Sequence, residues 1–532
     1  MTSLRIAMVG WCVALSACVI EESYQQLPPP TPVPDLVENR EVYAQDRLEL
    51  LTVHLTVTDL AGLDAVNNNV DGAKVPCVFQ SDDYIADPTV PNGTLELRGS
   101  SSRESNLHSY KVKLSGDAWH GMTKLNLVKH PYDLTRVRNR LSFEYMQSIP
   151  NFTSLRTQFV HVFMNGEDIG LFENVENPSK TFLAAHGLPA GELYKANNFA
   201  FFDLTDVQKT NTNELDKVLE SKAVDPTDGH AKLAEMLKHV NDSWVDTDYV
   251  FARHFNFDNY TTWLAVEILL GNFDTANQNF MIFSPPDSDG WYLLPWDYDG
   301  AWGFNGPDGQ PGTQNRAQSR LGVGTWWLSP LHKRFLLDSK NVALLEAKMD
   351  QLMATVLSDD KTRAMLASYH DIVASLVTQS PDVDHLPDNH APDTAASILA
   401  WETEYARIGG QLSRNYEDYY KQKDVPMPIF QAAPIISSDQ IIYQWDASFS
   451  LVGDSLTYDL EVSKTPAFGA GDIVLSKTGL TKTLFVGPSL PSGQYFWRVR
   501  VRDARAGTWQ ESAELYYDGQ GGKFPGVLPM SI

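Results

Sequence analysis

Two short stretches of this chain set acidic and amide side chains just after apolar runs. Within Gly271–Gly303, GNFDTANQNFMIF puts Asp274 five residues ahead of Asn279. After a short loop, WYLLPWDYDGAWG puts Asp297 two residues ahead of Asp299. Each set should therefore sit on a turn at the end of a buried element. A carboxylate, an amide and a second carboxylate brought close can orient a hydroxyl nucleophile and hold a divalent cation, the needs of phosphoryl transfer. Taken singly, each stretch also reads as a capped turn. PWDYDG lacks the further ligands and distal Glu of an EF-hand calcium loop.

A second group could supply the opposite charge. LRGSSSR carries Arg98, Gly99, Ser100 and Ser101, and SYKVKL follows with Lys111 and Lys113. A small-residue turn between strands can present backbone N–H groups to phosphate. Strand alternation places Lys111 and Lys113 on one face, with Tyr110, Val112 and Leu114 on the other. One lysine could reach phosphates, whereas a plain solvated strand face is the competing reading.

The elements that must position these groups read as an α+β layout. Strand-like runs begin at Leu48: LELLTVHLTV, VPCVF, TLELRG, YKVKL and KLNLV. From Leu134 to Ile149 the spacing turns helical, with Val137, Leu141, Tyr145 and Ile149 on one face. FVHVFMNGEDIGLFENV returns to strand, and Asn165-Gly166 is a hairpin signal. Helices dominate from Asp216 to about Lys361 and in the TAASILAWETEYARIGGQLSRNYEDYYKQK run. Near Pro426 the texture changes to short alternating strands, which over residues 430–520 suggest a β-sandwich.

The chain has 532 residues, too many for one core. Its formal charge of −25 argues against a nucleic-acid binder and against electrostatic docking on anionic lipid. Residues 1–17 read as a signal peptide, with Arg5 ahead of a short apolar run. Leu15-Ser16-Ala17-Cys18 resembles a lipobox, so Cys18 is the expected lipidation site and sole membrane contact. LPPPTPVP marks 18–45 as an extended linker. Cys12 leaves with the signal and Cys18 carries the lipid, so Cys77 is a lone thiol, read as a small buried hydrophobe. No H-E-x-x-H or G-x-S-x-G motif is present, which weakens a hydrolase reading. Paired carboxylates for glycoside cleavage are not excluded by the sequence, because their separation is set by the fold.

The ordered set RGSSSR…SYKVKL, RNRLSFEYM, VHVFMNGEDIGLFENVE, ELYKA, GNFDTANQN and PWDYDGAWG resembles the CotH (spore-coat protein H) kinase family over about residues 48–420. The resemblance implies an atypical protein-kinase-like, two-lobed domain over 46–425. It also implies a secreted or surface protein of the bacterial envelope, facing away from the cytoplasm. ATP and Mg²⁺ or Mn²⁺ are the implied cofactors, and a protein Ser/Thr hydroxyl is the implied acceptor. By position, Asp274 is the catalytic-loop Asp, and Asn279 and Asp297, with Asp299 beside them, are the metal ligands. Lys113 is the phosphate-contacting lysine, with Lys111 second. Glu144 is that lysine's partner, with Glu176 competing. Arg98, Ser100 and Ser101 fall in the phosphate loop. Where the family usually has two basic residues before the Ser-Tyr, this chain has Leu107 and His108. Residues 430–520 resemble a fibronectin type III-like, immunoglobulin-like sandwich. The alternative to an enzyme is a catalytically inactive surface scaffold or adhesion protein.

Overall fold

The computed structural model describes residues 27, 29–45, 48–64, 74–99, 103, 105–204, 212–223, 230–304, 319–386 and 394–532. Residues 1–17, expected to be a signal peptide, and Cys18, Ser100 and Ser101 lie outside the described residues. Among those described, no helix is long and apolar enough to cross a membrane.

The first half closes into a barrel. Its strands are β1 (Leu51–Val57), β2 (Val75–Ser81), β3 (Gly93–Arg98), β4 (Ser109–Leu114), β5 (Lys124–Val128), β6 (Thr157–Met164) and β7 (Glu167–Glu176), in the spatial order β1-β2-β3-β4-β5-β7-β6. Alternation builds it: Leu95, Val112, Leu125, Leu127 and Val162 are fully buried in one core, which also holds Cys77. Burial pushes the Cys77 thiol up to about 11, as suits a packed hydrophobe. Asn165 and Gly166 both have positive φ (51° and 84°), as the two-residue hairpin between β6 and β7 requires.

Between β5 and β6 runs the helix α1 (Arg138–Met146), shorter than the periodic stretch that announced it. Val137, Leu141, Tyr145 and Ile149 are all buried. A second, largely helical body follows. It contains a sheet the helical periodicity did not announce, in the order β11 (Tyr292–Pro295), β10 (Phe280–Ser284), β8 (Glu192–Ala196), β9 (Leu219–Ala223). Against it packs α2 (Phe257–Leu270), buried at nearly every position. Asn256 caps its first turn, and Gly271 ends it at φ 67°. A Cβ at Gly271 would meet Asn415 Nδ2 at 2.8 Å, so glycine is required for space as well as conformation.

From Ile429 onward the chain is all β. One sheet holds residues 435–436, 440–444 and 484–488, and the other holds 456–463, 473–480, 494–503 and 509–511. Tyr443, Trp445, Leu460, Trp497 and Val499 from both sheets meet in one core. This part is fastened to the helical body. The Arg320 guanidinium donates to the carbonyls of Ser512, Ala513 and Glu514, and Trp327 stacks on Phe449 at 5.5 Å.

The stretch expected to be a linker is, from Val33 onward, part of the packed structure. Val42 and Tyr43 are buried, and the Asn256 side chain donates to the Val33 carbonyl. The last residues of that stretch, Arg40–Gln45, form a 3-10 helix and not extended chain.

Candidate active site

Both acidic turns lie where apolar elements end, as their sequence context requires. Asp274 follows α2, and Asp297 and Asp299 follow β11. They open on one cavity of about 650 Å³ between the barrel and the helical body, within the ~300–1,000 Å³ usual for small-molecule sites. Its lining includes Arg98, Gly99, Ser109, His130, Asn139, Lys195, Asp274, Asn279, Asp297 and Asp299.

The Asp274 carboxylate accepts from the Gln278 amide at 3.0 Å and from the Asn279 amide at 2.9 Å. These bonds fix its orientation at the cavity. With its nitrogen committed to Asp274, Asn279 keeps its carbonyl oxygen as a potential ligand. Burial and then the Asp299 charge raise the Asp297 carboxyl to about 6, against the pull of His130, Lys195 and Arg98. Two carboxylates this close favour a bound cation.

His130, Asp297 and Asp299 each offer a ligand atom, all within 4.8 Å of one another. Burial disfavours the His130 imidazolium, but hydrogen bonds to Asp299 and Glu173 outweigh it and raise its pKa to about 10. His130 meets Asp299 at 3.5 Å and Glu173 at 2.8 Å. Two carboxylates and an amide oxygen fit Mg²⁺ or Mn²⁺.

Three residues here sit in the left-handed region: His130 (φ 47°), Asn279 (φ 59°) and Asp297 (φ 59°). Such conformations cost ~1–3 kcal/mol each and cluster at functional sites. A single buried carboxyl ties the two acidic loops together. Glu267, on α2, accepts from the hydroxyls of Tyr298 and Thr275. Burial raises its pKa to about 8, against those hydrogen bonds.

The cationic wall differs from the one expected. Arg98 lines the cavity, where burial lowers its pKa and the charges of Asp297, Asp299 and Glu173 only partly offset that. Lys113 and Lys111 do not line it. Lys111 pairs with Glu96 at 3.1 Å, and Lys113 is exposed. The lysine at the cavity is Lys195 of β8, over the Trp296 ring at 5.2 Å, its pKa lowered by burial to about 8. Glu144 is no lysine partner either, because it accepts from the Tyr369 hydroxyl away from the cavity. Glu176 pairs with Arg156 and His186. The carboxylate that reaches the site is Glu173, held by Asn139 and His130. Glu173 and Glu176, three residues apart on a strand, face opposite ways, so alternation could have separated them. Lys195 stands as a lone cation in apolar ELYKA, and His130 continues the outward parity of Lys124, Asn126 and Val128.

The family model for CotH kinase protein matches residues 95–417, which contain every residue of this cavity. The chain belongs to the CotH kinase family. Among curated proteins, the inner spore coat protein H of Bacillus subtilis (strain 168) is 25% identical over 213 residues, 39% of this chain. The match covers 58% of that CotH protein's length. Among solved structures, the Helicobacter pylori proinflammatory kinase CtkA aligns over 58% of this chain and 91% of its own, at 10% identity. Its TM-score of 0.26 is too low to carry an argument. The kinase-like assignment of this CotH chain therefore rests on the family match.

Proposed function

We propose that this CotH-family chain transfers the γ-phosphoryl group of ATP to a protein Ser or Thr hydroxyl, with Mg²⁺ or Mn²⁺ as cofactor. The observation that carries the reading is the cavity where Asp274, Asn279, Asp297 and Asp299 face Arg98 and Lys195. Asp274 orients the acceptor hydroxyl and takes its proton as the oxygen attacks the γ-phosphorus. The bond to the β–γ bridging oxygen breaks, and ADP leaves with that electron pair. Asp297, Asp299 and the Asn279 oxygen would hold the divalent cation, which supplies charge neutralisation at the phosphates. Arg98 and Lys195 bind phosphate oxygens from the opposite wall. Glu173, Asn139 and His130 keep that wall in place, and Glu267 keeps the two acidic loops in mutual register. Positioning and electrostatics supply most of the rate in such sites.

In this reading the protein is an envelope protein anchored through lipid on Cys18 after removal of residues 1–17. Residues 430–520 form a fibronectin type III-like module. The spore-coat relative supports a surface location. A silent scaffold is the second reading, favoured by Leu107 and His108 standing where the family carries basic residues. Labelled ATP, Mn²⁺ and a generic protein substrate decide between them. Transfer by the wild type and none by Asp297→Ala supports the enzyme. Equal labelling by both proteins, or no melting-temperature shift with ATP and Mn²⁺, supports the scaffold.

A further inference from the structure

The lysines missing from the cavity form a surface of their own. On β4, Ser109, Lys111 and Lys113 share the outward face, and on β5 Lys124, Asn126 and Val128 do. Register sets Ser109 and Val128 at the cavity mouth and Lys113 directly opposite Lys124 at the far end. Four residues separate the ends, about 13 Å at ~3.3 Å per residue. Like charges facing across a ladder are destabilising. Lys113 and Lys124 nevertheless have no ion-pair partner among the described residues. Lys74 and Lys111 share Glu96, at 3.6 and 3.1 Å, and Lys222 of β9 pairs with Glu220. Five ammonium groups thus meet two carboxylates on a chain whose formal charge is −25. Mutual repulsion is felt here: burial, then Lys111, Lys113 and Lys222, lower the Lys124 pKa. The Lys222 charge in turn acts on Lys195 at the cavity.

We propose that this face, carried by Lys74, Lys111, Lys113 and Lys124, with the largely buried Lys222 adding its charge, docks an acidic polypeptide segment that runs into the cleft. The site would thereby select protein acceptors with acidic residues beside the phosphorylated hydroxyl. The acceptor role rests on the kinase reading, whereas the docking itself does not. Sign and size choose the occupant. About 13 Å of strand matches a few residues of extended peptide. A duplex binder needs many phosphate contacts and would be repelled by the remainder of this acidic protein.

The test is binding without turnover. A fluorescein-labelled Glu-rich peptide, a Gln-rich control and a single-stranded oligonucleotide are titrated against the full chain by anisotropy, with and without ATP and Mn²⁺. A double variant, Lys113→Glu with Lys124→Glu, serves as comparison. The Glu-rich peptide should bind the wild type at least ~10-fold tighter than the Gln-rich one, and weaken as salt rises. The double variant should lose that preference while keeping the wild-type melting shift with ATP and Mn²⁺. Three results overturn the proposal: no preference for the Glu-rich peptide, equal binding by the double variant, or tighter binding of the oligonucleotide. Displacement of the peptide by ATP, with loss of the ATP shift in the double variant, would also overturn it by assigning the face to nucleotide. If the wild type binds the peptide but shows no ATP shift, docking stands and the kinase reading fails.

Discussion

Asp274, Asn279, Asp297 and Asp299 fall within 26 consecutive residues, on two loops at the ends of α2 and β11. The opposite wall is gathered from β3, from the turn after β5 and from β8, so Arg98 and Lys195 stand almost a hundred residues apart. Both walls depend on buried support, but of different kinds. The acidic loops share Glu267 beneath them. The cationic wall leans on strand parity and on the Glu173–Asn139–His130 cluster. Loop chemistry is local in sequence, whereas a wall assembled from a sheet is local only in space.

The contrast can be broken first at its acidic side. Asp297→Ala should lower labelling from ATP by ~10³-fold, since charge neutralisation at the phosphates is lost. It should also abolish the melting shift with ATP and Mn²⁺. A variant with residual activity above a tenth of wild type would remove Asp297 from the metal set.

On the cationic side, Lys195→Ala and Arg98→Ala should each cost ~10²-fold in kcat/KM for ATP. Steady-state kinetics at varied ATP measure this. Wild-type kinetics from both variants would mean that the phosphates lie elsewhere in the cavity.

The support under the acidic loops predicts a pH effect of definite sign. Folded Glu267 keeps its proton up to about pH 8, whereas the unfolded carboxyl ionises near 4.5. Between those values the folded state binds the extra proton, so stability falls as pH rises through this window. Glu267→Gln cannot titrate and should remove that part of the slope, worth on the order of 5 kcal/mol across the window. Thermal unfolding of both proteins at pH 5 and pH 8.5 tests this, and parallel slopes would count against a protonated Glu267.

The smallest effects should come from residues off the cavity. Lys113→Ala and Glu144→Gln should change KM for ATP by less than ~2-fold, the scale of exposed charge contacts. A loss from Lys113→Ala equal to that from Lys195→Ala would erase the distinction between the two lysines.

Legibility in the sequence followed the same divide. Apolar runs ending in Asp, Asn and Gly marked where α2 and β11 stop, and those ends are where the acidic residues stand. Strand alternation also put Lys111 and Lys113 correctly on one face. It could not say how far along that face the cavity lies, which depends on where β8 crosses from the other body. Glu144 shares α1 with the site, but the face of α1 that reaches the cavity carries Asn139, five residues earlier. Lys195, Glu173 and His130 come from three separate segments, and only tertiary packing brings them together. The seven-stranded closure likewise depends on β1 pairing in parallel with β6, a partner about a hundred residues away.

The seat of Val33–Tyr43 has a consequence for the order of assembly. Leu36 N–H bonds Asn151 Oδ1, His186 meets Glu38 at 2.7 Å, the Val33 carbonyl needs Asn256, and the Tyr292 hydroxyl donates to Pro34. These partners are made 115 to 258 residues later than the segment they hold. During synthesis, residues synthesised early must wait, unplaced, until the strand bearing Tyr292 has formed. A segment that is early in translation thus becomes late in folding, and its docking would report that barrel and helical body have already met.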